Sequence, residues 1–349
     1  MITKLLNLIK KLKNKDEQKK DQFSNNSFKY LFANEFLVNL IEDSPKNIVS
    51  CAKSSLMEYI KSPQIFNVNQ RELHGRKIII SKITDYYSDI LSDLIHEMNN
   101  DKNTIFSKIS DEEKKKILRR VSFVIYSCQK DKFSKNFELI KSTAKELLSD
   151  YSSNSTLQVE IFLIMRMLFL RFSHDGVMQM IRDLWPIIFT ELVQNIEDKK
   201  RSQDPNLLSE SFKFVELLSL ANIEEFSLYQ WIFMLDTYDI NDLDIRKEES
   251  LLSILMKRDK HKIFRPLSLE AFPNKDIDDL ENLLKSENKG KSELYIKSKK
   301  PDSLRQQIRQ FFYAIGDMNS YKVDVNYEQI ENNIENDFLE KEAQKKKEK

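Results

Sequence analysis

Four glycines, seven prolines and two cysteines in 349 residues leave little material for tight turns or covalent staples. A β-sandwich or barrel normally spends more turn residues than that, which points away from both. Gly75, Gly176, Gly290 and Gly316 each stand alone, so no Walker or Rossmann phosphate loop is present. Cys51 and Cys128 are too few for a disulfide framework, and free thiols in a cytoplasmic protein are expected. His74, His96, His174 and His261 lie far apart and match no HExxH or paired-ligand spacing, which leaves structural or surface roles. No catalytic residue, metal ligand or cofactor site can be assigned on these patterns.

Charge of one sign is also missing. Lys and Arg number 56 against 55 Asp and Glu, a formal charge of +1, so no global field draws the chain to nucleic acid or an anionic membrane. Any such attraction must be local. The most apolar stretch, residues 157–172, contains Glu160, Arg166 and Arg171 and is shorter than the roughly 20 residues a spanning helix needs. The opening MITKLLNLIKKLKNK is interrupted by Lys4, Lys10 and Lys11 and is followed by no small-residue cleavage site. It does not read as a signal peptide, and the mature chain is expected to start near Met1.

What is present is helical period. Ile2, Leu5, Leu6, Ile9 and Leu12 follow the i, i+3, i+4, i+7 spacing of a short amphipathic basic helix, and a charged linker follows to residue 23. Apolar residues then recur at helical spacing over 28–40, 48–60, 78–98, 114–127 and 133–148, and again over 177–196, 207–220 and 226–235. Ser110 with Glu113 forms a capping-box signature, so a helix start is expected there. Residues 157–172 are apolar almost all round, as in a helix covered on every side. The expected class is all-α, an irregular α-solenoid of armadillo or HEAT kind built from antiparallel helices, although no fixed repeat period is visible. The division expected is a basic helix and linker over 1–23, a helical core over 24–240, shorter helices packed on its end over 241–320, and a charged tail over 321–349. From residue 328 onward a solvated helix or a disordered tail is expected.

Two basic clusters are candidates for membrane or partner binding. Lys4, Lys10, Lys11 and Lys13 surround the apolar stripe of the first helix, which either lies on a lipid surface or packs on protein. Lys115, Lys116, Arg119 and Arg120, with Lys114, put five cations on about two helical turns, able to face a phosphoinositide or an acidic partner. The competing reading of the second cluster is a solvated helix face behind an acidic first turn.

The segments LQVEIFLIMRMLFLRFS (157–173) and LWPIIFTELVQ (184–194) resemble the C-terminal region of the Dopey family. SPQIF (62–66), FVIYSCQKDKF (123–133) and EEFSLYQWIFMLD (224–236) agree in the same order, and the likeness covers roughly residues 28–239. Leu184, Trp185, Pro186 and Trp231 are the signature residues, read as structural. Pro186 suits a first helical turn, with Leu184 to Pro186 capping one helix against the next. Each tryptophan would bury on the order of 200 Å² as a core anchor. The resemblance implies a non-catalytic scaffold of endosome-to-Golgi traffic, peripheral on Golgi and endosome membranes. It implies an Arf-exchange-factor-related Golgi scaffold as partner, with aminophospholipid flippase, kinesin light chain and phosphatidylinositol 4-phosphate membranes as further contacts. The alternative is a peripheral protein that binds anionic lipid through its basic helices.

Overall fold

The structure, a computed structural model, describes residues 53–62, 65–66, 70–99, 109–149, 155–198, 201–220 and 327–339. To these it adds pieces between 33 and 40 and at 237–238, 246–248, 251, 254, 291–292, 296, 304, 307–308, 311 and 324–325. The chain is all-α. Its longer elements are α1 (Lys53–Lys61), α2 (Gln70–Tyr86), α3 (Ile90–Asn99), α4 (Asp111–Ser127), α5 (Phe137–Ser149), α6 (Ser155–Arg171), α7 (His174–Glu197), α8 (Pro205–Leu220) and α9 (Tyr327–Phe338). Thr237–Tyr238 pairs antiparallel with Arg246–Glu248, and Lys291–Ser292 pairs parallel with Asp324–Val325. At two or three residues a strand, these ladders build no sheet layer.

Contacts divide the chain into two compact units. The first comprises residues 1–144, 163–179 and 334–349, and the second 145–162 and 180–333.

In the first unit, α2 and α3 both pack on α4. Alpha helix α4 starts at the expected capping box: the Glu113 N–H donates to Ser110 Oγ at 3.3 Å, and the Ser110 N–H donates to Glu113 Oε2 at 3.4 Å. Its second half, from Val121 to Ser127, is wholly buried. Two serines survive there because Ser122 Oγ donates to the Leu118 carbonyl (3.1 Å) and Ser127 Oγ to that of Phe123 (2.6 Å), so neither hydroxyl is stranded. The stretch 78–98, continuous in apolar period, breaks between α2 and α3. Asp89 accepts the Asp93 N–H on its carbonyl at 2.9 Å and so opens a new helix. Asp131, in the left-handed region at φ 59°, donates its N–H to the Arg171 carbonyl and accepts the Ser173 N–H on Oδ1, both at 2.8 Å. Aspartate tolerates that backbone better than most residues, and here it anchors the α6–α7 junction.

In the second unit, α8 begins at Asp204-Pro205. Asp204 Oδ1 accepts the N–H groups of Asn206 (2.9 Å) and Leu207 (3.3 Å), while Pro205 takes the first helical position, where a missing N–H is harmless. Residues Leu207 to Leu218 of α8 are buried on all faces, including Glu210, Lys213 and Glu216. Lys213 Nζ lies 3.0 Å from Glu210 Oε1, and the Ile296 N–H donates to Glu216 Oε2 at 3.2 Å. Burying these charges is tolerable because they are paired or hydrogen-bonded.

Three expectations are met or corrected here. Helix α6 is buried almost all round, as its composition indicated. Pro186 does not start a helix: it lies in the middle of α7, exposed on the solvent side, between buried Leu184, Trp185 and Ile188. A proline ring that faces water clashes only with its own helix, and the buried flanks hold the helix through it. Of the solvated helix or disordered tail expected from residue 328, a helix is present over Tyr327–Phe338, but it is not solvated: Ile330, Ile334, Glu335, Asp337 and Phe338, with Leu339 just after it, are buried. Ile330, Ile334 and Phe338 recur at i, i+4, i+8, a narrow apolar stripe hidden among charges.

Candidate functional site

Of the basic run on α4, two members are committed to helix ends within the first unit. Arg120 Nη2 donates to the carbonyl of Lys61, the last residue of α1, at 2.8 Å. Arg119 Nη2 donates to the carbonyl of Asp337 in the last turn of α9 at 2.5 Å. The final carbonyls of a helix lack an intrahelical N–H and sit at the negative end of its dipole, so a guanidinium there supplies both hydrogen bond and countercharge. Burial lowers the Arg120 pKa from its ordinary value, while the nearby Glu97 carboxylate opposes the shift. Half-buried Lys115 lies 3.7 Å from exposed Glu112, an i,i+3 pair. Lys116 is exposed and Lys114 half-buried, directly after exposed Asp111, Glu112 and Glu113. The run therefore does not present five free cations on one face.

Beside Arg119 lies an aromatic slot filled by the end of α9. The Phe338 ring, fully buried, sits 5.1 Å from Phe123, 5.7 Å from Tyr126 and 5.9 Å from Phe66, centroid to centroid. The Arg119 guanidinium stands 5.8 Å over the Phe66 ring. Arg166, 2% exposed, donates through Nη1 to Asp337 Oδ2 at 2.9 Å. Tyr126 Oη donates to Glu335 Oε1 at 3.2 Å, Lys77 Nζ is 3.7 Å from the same oxygen, and Lys77 also stands 4.2 Å over the Tyr126 ring. Sequence reasoning left this assembly out, since its parts lie on α2, α4, α6 and α9. Only the 330, 334, 338 stripe signalled it.

The other candidates separate cleanly. Lys4, Lys10, Lys11, Lys13, Cys51 and Trp231 lie outside the described residues. Leu184 and Trp185 are buried, and the Trp185 ring lies 5.6 Å from Phe189. Cys128 is buried with Sγ 3.2 Å from Thr84 Oγ1, and burial pushes its thiol up to about 11. A thiol that stays protonated near neutral pH is a poor nucleophile.

The second unit also holds a buried polar cluster around Glu191. Glu191 Oε2 accepts from Arg201 Nη1 (2.8 Å) and Gln158 Nε2 (3.1 Å), and Asn195 Nδ2 donates to Ser211 Oγ (3.0 Å). Burial raises the Glu191 pKa, and Arg201 and Gln158 pull it back. The groups satisfy one another, which is how a core network behaves. Among the described residues no group of His, Cys, Asp and Glu is placed to hold a metal ion, and no helix is long and apolar enough to cross a membrane.

A family model described as DOP1 C-terminal matches residues 7–322 of the chain. The chain is similar to Protein DOP1 homolog of Drosophila pseudoobscura pseudoobscura, 26% identical over 176 residues, which is 38% of this chain and 6% of that protein. It is similar to Protein dop1 of Emericella nidulans, 25% identical over 130 residues, 35% of this chain and 7% of that protein. Protein DOP1B of Mus musculus is 26% identical over 155 residues, 44% of this chain and 6% of that protein. The matching part thus spans 6% to 7% of these relatives' length. No solved structure matches the chain.

Proposed function

The chain belongs to the DOP1 C-terminal family, and from that premise we propose that it is a non-catalytic scaffold in endosome-to-Golgi membrane traffic. The family match over residues 7–322 is the observation that carries this reading. The partner is a large Arf-exchange-factor-related Golgi scaffold, engaged by a stack of antiparallel helices of armadillo or HEAT kind. Aminophospholipid flippase, kinesin light chain and phosphatidylinositol 4-phosphate membranes are further contacts, on the cytoplasmic face of Golgi and endosomes.

The α4 chemistry favours a protein partner over direct lipid binding by that cluster. Arg119 and Arg120 are spent on carbonyls of this chain, and three carboxylates stand beside the lysines that remain. A lipid surface would meet little net positive charge there. Affinity capture from cells with the full chain as bait, read by mass spectrometry, tests the proposal. Recovery of the Arf-exchange-factor-related scaffold, retained as salt is raised, is expected, because an apolar interface outlasts screening. A folded chain that recovers no trafficking component would sink it.

A further inference from the structure

The end of α9 is held in a manner suited to reading a helix terminus. Three features are recognised at once: the carboxylates of Glu335 and Asp337, by Lys77 and Arg166; the Phe338 ring, by Phe66, Phe123 and Tyr126; and the Asp337 carbonyl, by Arg119. The last feature selects a helix that stops. In a continuing helix that carbonyl would accept from the N–H four residues on, whereas here the chain turns and Leu339 N–H reaches back to the Asn336 carbonyl at 3.4 Å. The slot contributes three cations against two carboxylates from the segment, so its charge complements an acidic occupant and disfavours a basic one.

We propose that this slot in the first unit is a docking site for a partner's amphipathic helix ending in an acidic-x-acidic-Phe signature, held in the resting chain by its own Glu335, Asp337 and Phe338. Simple departure of the segment is opposed. It takes the Asp337 carboxylate from deeply buried Arg166 and uncovers Phe66 and Phe123, so the open state is a minor one that an occupant of the same chemistry captures. That requirement is the source of selectivity. The proposal deepens the scaffold reading and rests on it for the existence of a partner, but the chemistry of the slot can be measured without that partner.

The probe is a fluorescent synthetic peptide of residues 327–339, titrated by anisotropy against the full chain and against the full chain carrying Asp337→Asn and Phe338→Ala. The vacated chain should bind the peptide at least ~30-fold more tightly than the wild type, whose slot is occupied in cis. A peptide with Ala in place of its phenylalanine should bind the vacated chain about 30-fold more weakly, as expected for a buried aromatic anchor. A vacated chain with wild-type circular dichroism that binds no better than the wild type would overturn the proposal. Hydrogen exchange on the unmodified chain provides a second reading that needs no variant. Amides of 334–339 should exchange at least ~10-fold faster than those of 118–126, because the segment opens by itself. Equal rates would mean it opens only with the whole unit, and the proposal fails. A dimer in light scattering, formed by exchange of the segment between copies, would also overturn it in favour of self-association. Failure to capture a trafficking protein from cells would count against the scaffold reading and leave these binding results standing.

Discussion

Phe123→Ala should be among the most damaging single changes in the first unit. The side chain is 1% exposed in the all-buried half of α4, and its ring lies within 5.5 Å of Phe66, 5.1 Å of Phe338 and 6.5 Å of Tyr126. Truncating a buried phenylalanine among such neighbours costs about 3–5 kcal/mol in transfer and cavity energy, a large part of the roughly 5–15 kcal/mol that a folded domain has in hand. Phe123→Leu keeps most of the volume and should cost below about 1.5 kcal/mol. Urea denaturation followed by circular dichroism should show the midpoint fall with an unchanged slope. Phe338→Ala makes the comparison sharper. Its cost is limited by the free energy of docking the α9 end, because once that segment is released the rest of the fold no longer feels the change, so it should fall below that of Phe123→Ala. A loss under about 1 kcal/mol for Phe123→Ala would refute the aromatic cluster as a core. Equal losses for the two variants would refute the separate standing of the segment.

Arg201→Met removes a group that holds the Glu191 pKa down against burial. A raised carboxyl pKa means the native state binds more protons than the unfolded chain, so stability falls as pH rises from the ordinary 4.5 through the raised native value. The variant should extend that fall to higher pH, with its deficit largest near neutrality; urea midpoints that run parallel to wild type at every pH would count against it. Ser110→Ala deletes the acceptor of the α4 capping box and should cost about 1 kcal/mol, read as a drop in urea midpoint. With its thiol pushed from 9.0 to about 11, native Cys128 should react with a thiol-alkylating reagent about 100-fold more slowly than on the unfolded chain at neutral pH. Equal rates would mean the site is open. Arg120→Ala should lower stability by about 1–3 kcal/mol through loss of a charged hydrogen bond, whereas Lys116→Ala, on the exposed face, should change the midpoint within about 0.5 kcal/mol.

Local rules carried the sequence reading a fair distance, and its errors have local causes too. The α4 start was legible because Ser110 and Glu113 interact within one turn, and the burial of α6 was legible because its composition leaves no polar face. The break between α2 and α3 was not: Ser88 and Asp89 are weak punctuation beside glycine or proline, and buried Tyr87 and Ile90 keep the apolar pattern running through it. Pro186 misled because the usual place of proline is the first turn, and only tertiary burial of Leu184, Trp185 and Ile188 holds a helix across it. In α9, a stripe of one apolar residue per turn sits among four carboxylates, so composition outweighed period. The slot that receives it was out of reach, because its partners are separated by up to 218 residues along the chain.

The same distance explains the fate of the basic run on α4. By sequence, Lys114, Lys115, Lys116, Arg119 and Arg120 are five equivalent charges behind three carboxylates. The carbonyls that divide them belong to residues 59 and 218 positions away. Helix ends are targets for cations wherever they come close, and a guanidinium offers a fork of donors where an ammonium offers a compact, strongly hydrated charge. It is the two arginines, rather than the three lysines, that reach the ends of α1 and α9. What α4 leaves toward solvent is Asp111, Glu112 and Glu113 followed by Lys114, Lys115 and Lys116, three charges of each sign in sequence. Such an arrangement suits a helix start and its own dipole, and it generates little field at a membrane.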